Sequence, residues 1–351
     1  MKSFPLITLT ASTPYERGLQ YGAQAKQWID ICVDHYRSRF LKQGHSWKQI
    51  SDYAMGYIPP IEAHAPLALE EARGIAEGSG HTLEEIMVVN CRYEISKFPT
   101  LPECTTAAVL PPATADGKTF IVKNWDYSES IIPHVVLLLV KDETTGTSSF
   151  GVTEAGQLVR DGVNAQGVAF VNNNLQSIHD HPGIGLPATF IRQLMWECET
   201  FEQACEVVVN ADRCVSCNTL IAAKGGHARN FEAYPGGADL IDPTDGILVH
   251  ANHFVVSPEL DAITDRPKNR DARLRELLET KHGAITAAHI MDCMKDHKYL
   301  PLSICGHPDK DGDNYARGRV TVSSMVADLT DGIVYFCAGN PCEGEFVEYR
   351  L

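Results

Sequence analysis

Apolar residues near the start of the chain recur at helical intervals. Leu19, Ala23, Cys32, Val33, Tyr36 and Phe40 fall on one face, behind a capping box at Thr13-Pro14-Tyr15-Glu16 with proline at the first helical position. A long amphipathic helix therefore starts at about Pro14. The same reasoning predicts helices over 46–56, over 63–77 ending at Gly78, and over 83–95 behind a second capping box from Thr82 to Glu85. Residues 1 to 100 read as mostly helical.

Beyond residue 100 the pattern changes. Short β-branched or aliphatic runs at 105–110, 119–123, 135–141 and 168–172 are separated by Asp-Gly, Thr-Gly and Gln-Gly turns, which predicts a run of antiparallel strands. Helices follow over 187–197 and 200–210, then strands over 218–223, 227–234 and 247–250. A helical pair over 267–279 and 284–296 precedes closing strands over 320–329 and 333–338. Blocks of strands and helices in this order point to an α+β fold rather than alternating βαβ units. There is no internal repeat, low-complexity tract or long linker. The sharpest break is the proline-punctuated Phe98-Pro99-Thr100-Leu101-Pro102-Glu103, directly before Cys104.

Composition narrows the partners. The chain has 351 residues, 44% of them hydrophobic, enough for a sizeable core. A formal charge of −15 and a pI near 5.3 argue against nucleic acid or an anionic membrane as partner, since both call for clustered Lys and Arg. The start of the chain lacks the apolar core of a signal peptide, and the run Val135 to Val140 is too short to span a bilayer, which together predict a cytoplasmic protein. Eleven cysteines without a secretory signal predict buried free thiols rather than a disulfide framework.

One of those thiols heads a predicted strand. A thiol becomes a nucleophile when a base sits beside it, and a residue at a chain terminus can use its own α-amine, whose ordinary pKa of about 7.7–8.0 suits proton exchange near neutrality. Cys104 could reach that state by attacking the carbonyl of Glu103, forming a thioester that water then cleaves.

Cys104-Thr105-Thr106, then Asp116-Gly117-Lys118-Thr119 and Asn124-Trp125-Asp126-Tyr127, resemble the self-processing acyltransferases of penicillin biosynthesis and their bacterial relatives, peptidase family C45 of the N-terminal-nucleophile hydrolases. Gly162 to Ala169 resembles that family's G-x-N-x-x-G-x-A segment, His250-Ala251-Asn252-His253-Phe254 its H-T-N-H-F segment, and Gly339-Asn340-Pro341-Cys342-Glu343 its G-x-P-C-E segment.

The resemblance implies a four-layer αββα sandwich in one folded unit. Residues 1–103 would form a helical propeptide-like chain and 104–351 the catalytic chain, a two-chain heterodimer from one precursor that could assemble further. It implies Cys104 as nucleophile of self-cleavage and turnover, Asp126 as an acceptor orienting the amine or thiol, and Asn252 as a donor to the oxyanion. Asn174, at the end of the Asn172-Asn173-Asn174 run, would supply a second polar contact, and Arg270 a guanidinium favouring thiolate. The substrate would be a small-molecule amide or acyl thioester, with a coenzyme A thioester as a candidate acyl donor, and no cofactor or metal is implied. The penicillin enzymes carry Gly where Glu103 stands.

Other chemistries compete. His179, His181, Cys214, Cys217, His250 and His253 offer metal-ligand types but not a complete zinc spacing. An uncleaved hydrolase could pair Cys104 with His250 or His253. An inert binding protein on the same fold would leave Cys104 without function. Gly225-Gly226 and Gly236-Gly237 read as hairpin turns, not as a phosphate-binding loop.

Overall fold

The computed structural model describes residues 3–96, 103–264, 268–309 and 318–351, with Glu103 described by its backbone. The amino-terminal helices are α1 (Pro14–Lys42), α2 (Trp47–Met55), α3 (Ile58–His64), α4 (Pro66–Ser79), α5 (Leu83–Asn90) and α6 (Arg92–Ile95). Later come α7 (Ala188–Trp196), α8 (Phe201–Asn210), α9 (Arg270–Glu279) and α10 (Ala287–Cys293). Among the described residues no helix is long and apolar enough to cross a membrane.

Local chemistry sets the helix starts. The Glu16 amide donates to Thr13 Oγ1 at 3.3 Å, and complete capping boxes open α2 at Ser46 and α5 at Thr82. Pro66, which has no N–H to offer, divides the helix predicted over 63–77 into α3 and α4. The second piece runs through Gly78 and stops at Gly80, which takes the left-handed conformation with φ 76°. The helix predicted over 83–95 likewise breaks at Cys91.

The strands are β1 (Leu6–Leu9), β2 (Glu103–Val109), β3 (Phe120–Ser128), β4 (Val135–Asp142), β5 (Thr147–Glu154), β6 (Asp161–Val163) and β7 (Val168–Asn174). They continue with β8 (Cys217–Ala223), β9 (His227–Tyr234), β10 (Gly237–Ile241), β11 (Ile247–His250), β12 (Arg319–Asp328), β13 (Ile333–Ala338) and β14 (Val347–Arg350). One sheet has the order β1-β4-β5-β6-β7-β8-β9-β10 and the other β11-β2-β3-β12-β13-β14. The run of antiparallel strands predicted after residue 100 is thus shared between two sheets: β2 and β3 lie in the second, and a 3₁₀ turn over Glu129–His134 carries the chain to β4 in the first.

Three apolar cores separate four layers, so the fold is an α+β sandwich in αββα order. The first core packs the amino-terminal helices with α7 and α8 on the outer face of the first sheet, through residues such as Ile29, Tyr36, Ile75, Phe170 and Phe190. The second lies between the sheets and includes Cys104, Trp125, Phe150, Val171 and Leu220. The third joins the second sheet to α9 and α10 through Val122, Leu274, Leu278 and Ile290. Strand alternation sends Cys104, Ala108, Ile121 and Trp125 into the inter-sheet core, and Ala107, Val109, Phe120 and Val122 toward α9 and α10.

Gly78 stays inside α4 because α1 passes so close that a Cβ there would lie 2.3 Å from the Leu19 carbonyl oxygen. In an open helix, alanine would gain about 1 kcal/mol over glycine. Here the backbone clash outweighs that gain, and Gly78→Ala should destabilise the protein by about 1–3 kcal/mol. A urea midpoint unchanged or raised in this variant would contradict the close α1–α4 approach.

Candidate functional site

The register of β2 on β3 places Glu103 opposite Asp126 and Cys104 opposite Trp125, so the hairpin brings Asp126 back beside the head of β2. β11 flanks β2 on its other side, with His250 opposite Thr106, and this carries the following residues of β11 toward Cys104. The Cys104 amide accordingly donates to Asn252 Oδ1 at 2.6 Å.

Asn252 joins three elements. Its oxygen also accepts from Arg270 Nη2 at 3.0 Å, and its Nδ2 donates to the carbonyl of Asn174, at the end of β7, at 2.9 Å. These partners fix the amide orientation, which presents the oxygen to Cys104. Asn252 was expected to offer an N–H to an oxyanion; in the intact chain its oxygen receives the Cys104 N–H while its own N–H goes to the Asn174 carbonyl.

Asp126 is fully buried on the α9 side of the second sheet. Thr321 Oγ1 donates to its Oδ1 at 2.6 Å, Arg319 Nη2 to its Oδ2 at 3.1 Å, and Arg270 Nη1 lies 3.6 Å from Oδ2. β12 supplies Arg319 and Thr321 opposite the end of β3, next to a bulge between Thr321 and Ser323. Burial pushes the Asp126 carboxyl up to about 6, against the downward pull of Arg319 and the Thr321 hydroxyl. Asp126 makes no hydrogen bond to Cys104. The connection runs through Arg270 and Asn252 to the Cys104 amide.

The thiol points the other way, into the inter-sheet space, with no exposed surface. Burial raises its pKa, Lys123 and Arg160 pull it down, and Asp126 and Asp161 add smaller upward pushes. Lys123 Nζ donates to Asp161 Oδ2 at 2.7 Å and to the Asn172 carbonyl at 2.6 Å. The Arg160 guanidinium stacks 4.2 Å from the centre of the Trp125 ring.

The three asparagines divide their work. Asn173 Nδ2 donates to Thr106 Oγ1 and to the carbonyls of His250 and Ala251, tying β7 to β2 and β11. Asn174 receives Asn252 on its carbonyl and the Tyr93 hydroxyl on its side-chain oxygen, while its buried Nδ2 has no hydrogen-bond partner among the described residues. A pocket opens there, lined by Asn173 and Asn174 and by four arginines, Arg39, Arg92, Arg160 and Arg192. Arg92 is paired with Glu154, whereas among the described residues Arg192 has a buried Nε without a hydrogen-bond partner and an Nη2 that meets Cys217 Sγ at 3.8 Å.

Sequence reasoning missed Arg319, Thr321, Lys123 and Arg160. Charged residues inside apolar strands were the available signal, as in Ile121-Val122-Lys123 and Gly318-Arg319-Val320. Arg270, read from the sequence as the start of a helix, is buried at 2% exposure.

Among the described residues the rival groups do not come together. No histidine nitrogen hydrogen-bonds the Cys104 sulfur among the described residues. His250 is held by the Ala251 carbonyl and Glu232, and His253 lies 3.5 Å from Asp271. His179, His181, Cys214 and Cys217 form no cluster with shared ligand geometry among the described residues.

The chain belongs to the acyl-coenzyme A:6-aminopenicillanic acid acyl-transferase family, whose model matches residues 113–343. That membership places it among enzymes of the amidohydrolase and acyltransferase type. The matched stretch contains Asp126, Asn174, Asn252, Arg270, Arg319 and Thr321, and begins beyond Cys104. The chain is 26% identical over 304 residues to the acyl-coenzyme A:6-aminopenicillanic-acid-acyltransferase 40 kDa form of Emericella nidulans, covering 84% of this chain and 82% of that protein. Among solved structures, a Caenorhabditis elegans ortholog of N-acylethanolamine-hydrolyzing acid amidase aligns with a TM-score of 0.48 at 15% identity, over 65% of this chain and 93% of its own. Penicillin V acylase from Agrobacterium tumefaciens aligns with a TM-score of 0.47 at 12% identity, over 67% of this chain and 83% of its own.

Replacing Arg270 with Met removes one buried cation from Asp126 and one donor from Asn252. The expected loss is about 3 kcal/mol at pH 7.5, the lower end for breaking a buried pair, because Arg319 and Thr321 remain. The loss should shrink below about pH 6, where Asp126 takes up a proton in the parent protein too. Urea unfolding at pH 5.0 and 7.5 reads both effects, and equal loss at the two values would contradict the pairing.

Proposed function

We propose that the chain is a self-processing cysteine hydrolase or acyltransferase that cuts itself between Glu103 and Cys104 and then turns over small amides or acyl thioesters through a Cys104 acyl-enzyme. The observation that carries this reading is the 2.6 Å contact of the Cys104 amide with Asn252 Oδ1, backed by Arg270 and Asp126. The nitrogen that would become the catalytic amine is already held by an acceptor.

In self-cleavage the thiol sulfur bonds to the Glu103 carbonyl carbon, the C–N bond breaks, and the nitrogen takes a proton to become the α-amine. Water then hydrolyses the thioester, leaving a carboxylate on Glu103 and a free thiol on Cys104. In turnover the α-amine accepts the thiol proton as sulfur attacks the substrate carbonyl, and the leaving amine or thiol carries that proton away. Water or an amine then takes the acyl group. A thiol with no exposed surface meets an outside substrate only after the chain around it changes, and scission at Glu103 is such a change. Residues 1–103 and 104–351 would persist as two chains of one fold.

Intact mass tests the cleavage. The parent protein should yield chains of about 11 and 27 kDa by share of 38.6 kDa, and Cys104→Ala a single full-length chain. A full-length mass in both, with the parent active, would defeat self-processing.

The arginine-lined pocket favours a substrate carrying a carboxylate. Glu154 is spent on Arg92 and Asp161 lies 3.5 Å from Arg160, whereas Arg192 forms no ion pair among the described residues and burial pushes the nearby Glu94 up to about 7. Arg192→Met should lower kcat/KM about tenfold or more for a carboxylate-bearing amide and leave its neutral isostere nearly unchanged. Equal effects on the two substrates would remove the anion from this reading.

A further inference from the structure

Beyond α10 a second group of reactive side chains comes together, away from the thiol. His297, Cys305, His307 and Cys342 bring their ligating atoms within 4.8 Å of one another. The Nε2 atoms of the two histidines are 3.1 Å apart and the two sulfurs 3.6 Å apart. His307 Nε2 lies 3.7 Å from Cys305 Sγ and 3.2 Å from Cys342 Sγ.

Four of the six separations among these atoms are close to tetrahedral edges, and the other two lie within 4.8 Å. With Zn–S near 2.3 Å and Zn–N near 2.0–2.1 Å, a Cys₂His₂ zinc centre has edges of roughly 3.3 Å for N···N, 3.5 Å for N···S and 3.8 Å for S···S. The donors thus match zinc in number, type and spacing. A disulfide would need the sulfurs at about 2.05 Å and would leave the two imidazoles unexplained. The surroundings also suit a metal. Asn340 Nδ2 donates to Cys305 Sγ at 3.4 Å, and the outward His307 Nδ1 faces Glu343 Oε1 at 3.7 Å.

We propose that His297, Cys305, His307 and Cys342 bind one structural zinc ion. Four protein ligands leave no position open for water or substrate, so the ion holds structure rather than activating a nucleophile. Binding takes both cysteines as thiolates and both histidines as neutral imidazoles, with the two thiol protons released to solvent. What it holds is specific. Between the ligands Cys305 and His307, the Gly306 amide donates to Thr321 Oγ1 at 2.8 Å, and Thr321 donates in turn to Asp126 Oδ1 at 2.6 Å. The Gly306 carbonyl accepts from Asn340 Nδ2 at 2.6 Å, tying the same loop to the turn that carries Cys342. The centre therefore clamps the loop that supports the Asp126 network. It is independent of whether Cys104 is a nucleophile.

Sequence reasoning weighed His179, His181, Cys214, Cys217, His250 and His253 for a metal and missed this group, whose ligands come as Cys305-Gly306-His307 with one histidine upstream and one cysteine far downstream rather than as paired Cys-x-x-Cys units. The test is elemental analysis of full-length protein purified under reducing conditions without chelator. About one zinc per chain is expected in the parent and in Cys104→Ala, with stoichiometric loss in both Cys342→Ser and His297→Gln. Cobalt loaded into the apoprotein should give the visible absorption of a tetrahedral dithiolate centre, and chelator should lower the parent's thermal midpoint but not that of Cys342→Ser. The proposal fails if the reduced parent takes up neither zinc nor cobalt, if both variants keep full metal, or if the mass reports a Cys305–Cys342 disulfide.

Discussion

A carboxylate with no exposed surface, Asp126, sits near the end of β3 beside the head of β2, and much of the site depends on compensating it. Stripping a carboxylate of water costs several kcal/mol unless cations and donors replace the solvent. Arg319 and Thr321 on β12 and Arg270 at the start of α9 offset part of that cost for Asp126, whose carboxyl still stays raised to about 6. Three elements distant in sequence are thereby committed to one position. Moving any of them would expose the charge to an apolar layer, so the network fixes where α9 docks on the second sheet.

Strand alternation then divides the site between two faces. The thiol of Cys104 enters the inter-sheet core while Asp126 lies on the helical side, and only the backbone of residue 104 touches both environments. The Asp126 network therefore acts on the Cys104 nitrogen, by way of Arg270 and the oxygen of Asn252. The sulfur feels Asp126 only as one of two smaller upward pushes, with Asp161, and its main counterweights to burial are Lys123, which reaches into the inter-sheet space from β3, and Arg160. The peptide nitrogen and the thiol of one residue thus have different nearest partners, the Asn252 oxygen for the first and the inter-sheet cations for the second.

Sequence reasoning reached what is local. Capping boxes at Thr13 and Thr82 marked helix starts, and the spacing of Asp126 from Cys104 foretold the hairpin register. It could not see which of Asn172, Asn173 and Asn174 faces which neighbour, because a one-residue change of register reverses every side chain. Arg319 was missed for another reason: a cation in an apolar strand signals burial, but its partner lies 193 residues away and nothing nearby in sequence names it. The strands β1, β5, β10 and β14 were also missed. β1 is a four-residue edge strand, and β5, Thr147–Glu154, opens on polar residues that mask its buried half.

Charge gives the last constraint. The chain carries a formal charge of −15, yet cations are gathered around Cys104 and the adjoining pocket. In the intact chain burial still wins, and the thiol pKa is raised. Scission before Cys104 would change that balance at one point, replacing a neutral peptide nitrogen with an amine of ordinary pKa about 7.7–8.0. Its protonated form would find Asn252 Oδ1 already placed as an acceptor, and its added positive charge would favour thiolate on the same residue. In this reading the acid network on one face and the cations on the other hold a residue that lacks only its free amine.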